Sequence, residues 1–257
     1  LFPYTTLFRS ENMSDTLSSN NGFVQFTLSG ADAEKFLQGQ ITCNVSKLDD
    51  AYQATAISNL KGRVEFGIWL KKRAEQEFDL VTSQDLADSL AKHIKKYGAF
   101  SKITLSAPTP IATVMVDGVP TFGEANASTD LAMWQRLSIE QGNVWITSAT
   151  QGLFQPQELR LHQRGGVDYD KGCYLGQEII ARLYFKASPK AWLHRVAGAG
   201  EVPAAGSKLG KVDVVNAIAT AQGFEALVVA RPDEISEAGL TELPLPEALQ
   251  QPVERQH

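Results

Sequence analysis

Within eight residues, Lys171-Gly172-Cys173-Tyr174-Leu175-Gly176-Gln177-Glu178, the chain sets a cation, a thiol and a carboxylate around two glycines. A thiol near a helix N-terminus and two residues from a lysine has its thiolate form favoured, the condition for nucleophilic or redox chemistry. Gln177-Glu178-Ile179-Ile180-Ala181-Arg182-Leu183 is helix-compatible, so the segment predicts a loop feeding a helix that begins near Gly176. No C-x-x-C supplies a resolving partner, and one thiolate is too few for a complete metal site. A transient metal or cluster with ligands from elsewhere stays open. On residue types alone, packing is the more economical role for Cys173, because free cysteine behaves as a small apolar residue.

Glu178 invites two readings of its own. A carboxylate at a helix start gains from the dipole. A fixed carboxylate can also accept two parallel hydrogen bonds from a planar N–H/NH₂ edge, such as that of a pterin or guanine. Arg182, one turn later, and Lys186 could meet an anionic tail. Tyr174, Tyr184 and Phe185 could flank a flat ring, although aromatics at this density more often build core.

The rest of the chain narrows the field. The four histidines, His93, His162, His194 and His257, fall in no metal-ligand spacing such as HExxH, so no metal site is expected. Gly198-Ala199-Gly200-Glu201-Val202-Pro203 has proline where a dinucleotide loop needs its third glycine, and Gly206-Ser207-Lys208 inverts the Walker order. Both read as connections between strands. A formal charge of −5 argues against a general nucleic-acid or anionic-membrane surface. No apolar run approaches the roughly 20 residues of a membrane span. With no secretory signal, Cys43 and Cys173 are expected as reduced thiols in a cytoplasm. Residues 1–12 match nothing that follows, and Met13 is a credible start, so they read as a non-native or disordered tail.

These groups must be positioned by a mixed framework, which a chain of 257 residues with 43% hydrophobic content can support. Gly22 to Leu28 alternates as a strand and runs into a helix at Ser29-Gly30-Ala31-Asp32, with Ser29 as cap, Phe36 and Leu37 inward and a stop at Gly39. Tyr52–Ile57, Val64–Leu70 and Phe78–Thr82 read as strands, with a turn at Asn59-Leu60-Lys61-Gly62. Ser83 to Tyr97 is the clearest helix: Leu86, Leu90, Ile94 and Tyr97 form an apolar stripe. Its late lysines Lys92, Lys95 and Lys96 suit the dipole and read as a solvated end. Short strands are expected at 103–105, 113–116 and 144–147. Beyond Pro189, Leu193–Ala197, Lys211–Ala219 and Phe224–Ala230 are β-rich runs without a strong helix, a small all-β module. The order is α+β followed by a barrel-like domain, with no internal repeat.

The motif KGCYLGQE resembles the signature of the YgfZ family, folate-binding proteins that support iron–sulfur cluster assembly or repair and are related to the glycine-cleavage aminomethyltransferase. Ser29 to Gln40, Asn59-Leu60-Lys61-Gly62-Arg63 and Lys95-Lys96-Tyr97-Gly98-Ala99-Phe100-Ser101-Lys102 are similar to further stretches of that family, in the same order. The resemblance implies an aminomethyltransferase-like fold: two intertwined α+β subdomains over residues 20–186 around a central hole that admits tetrahydrofolate, then a small β-barrel over 187–257. It implies that Cys173 is the functional thiol, with Lys171 beside it. Glu178 would lie against the pterin, and Gly172, Tyr174, Gly176, Gln177 and Arg182 would complete the folate site. It implies a monomer whose partners are folate and iron–sulfur client or assembly proteins, without nucleic acid or membrane.

Two departures qualify this. The stretch from about Val119 to Gly152 is short for the family, which would open the pocket. Aminomethyltransferases also carry paired aspartates on the strand after the Lys-Gly turn, one of them catalytic. Here that strand reads Val64-Glu65-Phe66-Gly67-Ile68-Trp69, and the aspartate positions fall near Phe66 and Gly67. A one-residue offset puts Glu65 on the opposite face of a regular strand. A conventional aminomethyltransferase is therefore not expected.

Overall fold

The computed structural model describes residues 22–125, 127 and 130–254. The tail expected at residues 1–12 lies outside them.

The alternation of Gly22–Leu28 becomes β1 (Phe23–Ser29), with Val24, Phe26 and Leu28 buried to 1% exposure or less. The chain turns through α1 (Ala33–Gln38), which buries Phe36 and Leu37 and ends at Gly39. Asp32, not Ser29, occupies the cap position, and its carboxylate accepts the Lys102 N–H instead of capping the helix. Three strands follow: β2 (Gln53–Ser58), β3 (Val64–Ala74) and β4 (Glu77–Ser83). The predicted helix forms as a 3₁₀ turn, Gln84–Leu86, and then α2 (Ala87–Tyr97). Short strands β5 (Thr104–Leu105) and β6 (Thr109–Pro110) both pair with β1, completing an antiparallel sheet of order β2-β3-β4-β1-β5.

A separate hairpin, β7 (Ala112–Val116) and β8 (Val119–Gly123), leads to α3 (Leu131–Gln141). Trp134 of α3 joins Phe23, Trp69 and Phe122 in an aromatic cluster with centroids 4.9–6.2 Å apart. The strand expected at 144–147 does not form: these residues join no ladder. At Trp145 a side chain takes the place of a partner strand: the Asn216 amide donates to the Trp145 carbonyl and accepts from the Trp145 N–H. Helix α4 (Gln177–Phe185) follows the thiol motif, with Gly176 as its cap in the left-handed region at φ +80°.

From there the chain is mostly strand: β9 (Trp192–Gly198), β10 (Lys208–Leu209), β11 (Val212–Thr220), β12 (Gly223–Ala230) and β13 (Thr241–Leu243), with a short α5 (Pro232–Glu237). The order β10-β11-β12-β9-β13 leaves β10 and β13 at opposite edges, so the expected barrel is an open antiparallel sheet. Closure needs long tilted strands all round, and these two edges are two and three residues long. Leu193, Val215, Leu227 and Val229 of this sheet belong to the main core. The opposite face, with Val196, Val214, Phe224 and Val228, packs around Ile235 of α5. No described helix is long and apolar enough to cross a membrane.

Candidate functional site

The motif loop is fastened to the segment after α1 by a ladder of polar contacts. The Leu175 N–H donates to the Gly39 carbonyl and the Asp168 N–H to the Thr42 carbonyl, while the Thr42 hydroxyl donates to the Gly166 carbonyl. Lys171 adds the strongest link. Its Nζ lies 2.6 Å from the Ile41 carbonyl and 2.7 Å from the Cys43 carbonyl, and 4.9 Å above the Tyr174 ring. Burial pushes its ammonium down to about 8. The lysine expected to serve the motif thiol thus serves the backbone. Gln177 closes the loop on itself, its amide reaching toward the Lys171 and Gly172 carbonyls.

The motif glycines divide cleanly. A Cβ on Gly176 would stand 2.5 Å from the Asn59 carbonyl, and one on Gly62 would stand 2.8 Å from Ile179 Cβ. The Lys-Gly turn and the start of α4 therefore press together through two left-handed glycines. Gly172 meets nothing within 4 Å. We expect Gly176→Ala to lower the urea midpoint sharply and Gly172→Ala to leave it near wild type, as equilibrium unfolding will show.

Cys173 is a free, exposed thiol, whereas Cys43 is buried. Packing therefore describes Cys43, whose thiol is pushed up chiefly by burial, and does not describe Cys173. Glu178 lies exposed on α4 and has no polar partner among the described residues. With Ala181, Arg182, Phe185, Lys186 and Ala187 it borders an open hollow. Tyr174 is buried, and Tyr184 stacks on Tyr169 at 4.0 Å.

A cavity of about 820 Å³ lies beside the motif, which lines it through Leu175. Its walls come from the Lys-Gly turn, β3, α2 and residues 151–152. Phe66, His93 and Tyr97 form an aromatic wall, with centroids 5.4 Å apart for the first pair and 4.4 Å for the second. His93 Nε2 sits 2.7 Å from Gln40 Oε1, and burial, with Lys96 adding to it, lowers the imidazole to about 4. Lys61, Arg63, Lys92 and Lys96 also line the cavity.

Among the described residues, its one lining carboxylate is Glu65. Ile57 pairs with Phe66 but Ser58 pairs with Val64, so Glu65 is the extra residue of a β-bulge. A bulge re-aims side chains, and the opposite-face expectation for Glu65 fails for that reason. Asn59 holds it in place. The Asn59 side-chain oxygen accepts the Lys61 and Arg63 N–H groups, and its amide donates to Glu65 Oε1 at 2.7 Å.

Of the residues expected to form the site, the structure places Lys171, Gly172, Cys173, Tyr174 and Gly176 in one loop and Gln177 at the start of α4. Glu178 and Arg182 fall in the separate hollow. The cavity residues were missed, although the sequence held a signal: Ser89, Lys92, His93, Lys96 and Tyr97 repeat at helical spacing as a second stripe beside the apolar one. Tyr97 is 43% exposed and lines the cavity rather than the core, and Lys92 and Lys96 are cavity residues rather than merely a solvated end.

His93 and His162 are both lowered to about 4, chiefly by burial. A histidine kept neutral in the fold takes up its proton on unfolding, so its contribution is present above about pH 6.5 and is lost as pH falls toward 4. We expect the urea midpoint to fall through that window. His162→Gln should remove part of the slope, on the order of 2 kcal/mol over the window.

No family model matches the chain. It is 31% identical over 261 aligned positions to the tRNA-modifying protein YgfZ of Klebsiella pneumoniae (strain 342), covering 81% of this chain and 80% of that one. It is 28% identical, with the same coverage, to the tRNA-modifying protein YgfZ of Escherichia coli O7:K1. Among solved structures it resembles the glycine cleavage system aminomethyltransferase T from Bartonella henselae, with a TM-score of 0.62 at 13% identity over 82% of this chain and 76% of that one. That likeness establishes an aminomethyltransferase-like fold.

Proposed function

The chain belongs to the YgfZ family, and from that premise we propose that it is a cytoplasmic, monomeric tetrahydrofolate-binding protein that supports assembly or repair of iron–sulfur proteins, with Cys173 as its working thiol. The observation that carries the folate reading is the 820 Å³ cavity with Glu65 held on a bulge, the rings of Phe66, His93 and Tyr97, and cations at its rim. A pterin offers a flat ring and an N–H/NH₂ edge that suits a carboxylate, and a folate tail carries anions that suit lysine and arginine. The pterin carboxylate in this reading is Glu65, and Glu178 stands outside the cavity.

The relatives' name, tRNA-modifying protein, points to RNA modification as the process served. Support of a cluster-dependent modifying enzyme fits an acidic chain better than direct capture of RNA. Calorimetric titration with tetrahydrofolate tests the ligand and should give a saturable one-to-one isotherm; no heat would leave a folate-free interaction module. Deletion of the gene, with tRNA modification and cluster-enzyme activity read under oxidative stress, tests the role. Full rescue by a Cys173→Ala allele would remove the thiol from it.

A folate-dependent aminomethyl or methyl transferase is the second reading, and the entry of Glu65 into the cavity favours it. Turnover of tetrahydrofolate with an aminomethyl donor would support it, and turnover unaltered by Glu65→Gln would exclude that carboxylate as base.

A further inference from the structure

A small cavity of about 20 Å³ lies between β2, β3 and the segments 144–146 and 159–164, and shares no lining residue with the 820 Å³ cavity. Its wall is apolar apart from Thr55, Trp69 and Arg164. Arg164 Nη1 is shut off from solvent without a hydrogen-bond partner, and the residue forms no ion pair among the described residues. Burial pushes the guanidinium down to about 10, so it still carries its charge at neutral pH. A charge taken out of water is costly unless something pairs with it. What the wall can offer decides what that partner is. The Thr55 hydroxyl already donates to the Gly166 carbonyl and accepts from the Cys43 N–H. The carbonyls of Ala54, Gly67, Ile146 and Leu161 already accept from Gln53, Thr82, Ser83 and Gly166. The other two polar side chains, the guanidinium and the Trp69 indole, only donate.

We propose that this cavity is a site for one halide-sized anion, chloride under ordinary conditions, held by Arg164. A water seated there would turn its hydrogens toward a wall whose acceptors are engaged, although a buried water is held by two to four polar partners. An anion has no hydrogens to place and brings the missing charge. The space admits about one water-sized species, which excludes sulfate, phosphate and carboxylates. Arg164 stands directly before Gly165-Gly166, and a Cβ on Gly166 would meet Leu161 and the Ala54 carbonyl at 2.5–2.6 Å. The anion therefore anchors the stretch that carries the chain from the cavity wall into the motif loop. The inference stands on this cavity alone and is independent of the folate reading.

The test is thermal unfolding of the full chain at fixed ionic strength, with potassium chloride replacing potassium gluconate stepwise. Tm is expected to rise and then level off, by about 3–6 °C once chloride stands about tenfold above its dissociation constant. Arg164→Met should abolish the rise without lowering Tm in gluconate, since it removes the buried charge together with the need for its partner. Arg136→Gln, which alters an exposed arginine on α3, should keep the rise. An unchanged wild-type Tm would overturn the proposal. So would a rise that survives in Arg164→Met, which would be a general salt effect. Should Arg164→Met not fold, a wild-type crystal grown in bromide decides: an anomalous peak against the Arg164 guanidinium supports the site, and a bromide-free cavity overturns it.

Discussion

Glu65→Gln lowers affinity for tetrahydrofolate by about tenfold to a hundredfold, the equivalent of roughly 1–3 kcal/mol for a buried polar edge left without its partner. Glu178→Ala changes it by less than about threefold, the scale of an exposed charge acting at a distance. The reasoning is geometric. Glu65 lines the 820 Å³ cavity, whereas Glu178 is exposed and borders a different hollow. The amide of Glu65→Gln preserves shape but replaces one acceptor oxygen with a donor. It therefore presents N–H to the N–H of a pterin edge, and it also loses the charge that strengthens the hydrogen bond from Asn59. Calorimetry on both variants, with unfolding midpoints measured in parallel, decides the matter. The reverse pattern, loss with Glu178→Ala and none with Glu65→Gln, would move the pterin to the hollow on α4.

What the sequence could and could not show follows from the range of the interactions involved. The motif loop and the helix after it were legible because turns, caps and helix starts depend on neighbours in the chain. So were β1, β3, β4 and α2, whose apolar residues recur with the period of one face. The position of Glu65 was not legible. A strand pattern assumes strict alternation, and the bulge that breaks it is defined by the partner strand, where Ser58 skips to Val64. The same holds for residues 144–147. Their composition is that of a strand, yet the Trp145 N–H and carbonyl are satisfied by Asn216, some 70 residues on, and the Ile146 carbonyl by Ser83. The open C-terminal sheet is a third case, since closure depends on edge strands too short to carry a sequence signal. The role of Lys171 is the sharpest. Proximity in sequence assigned it to the thiol, but its four-carbon stem reaches carbonyls about 130 positions away.

That last contrast separates two motif residues that the sequence had grouped together. Lys171→Met should lower unfolding free energy by about 2–3 kcal/mol, because it leaves the Ile41 and Cys43 carbonyls without a charged donor and removes the cation above Tyr174. Folate affinity should fall with it, since the loop that carries Leu175 into the cavity wall is no longer latched to the segment after α1. Cys173→Ser should do neither: the thiol is exposed and takes part in none of the contacts that fasten the loop. Its effect should appear only in the cell, as loss of most of the complementing activity, because serine keeps the size but not the nucleophilicity or the metal affinity of a thiolate. Denaturant unfolding, folate titration and complementation therefore form a three-way readout. A serine variant that unfolds early would make Cys173 a packing residue after all. A methionine variant as stable as wild type would mean that the ladder of backbone contacts holds the loop without Lys171. Stable folding and intact folate binding with lost complementation would place the working chemistry of the motif on its exposed thiol.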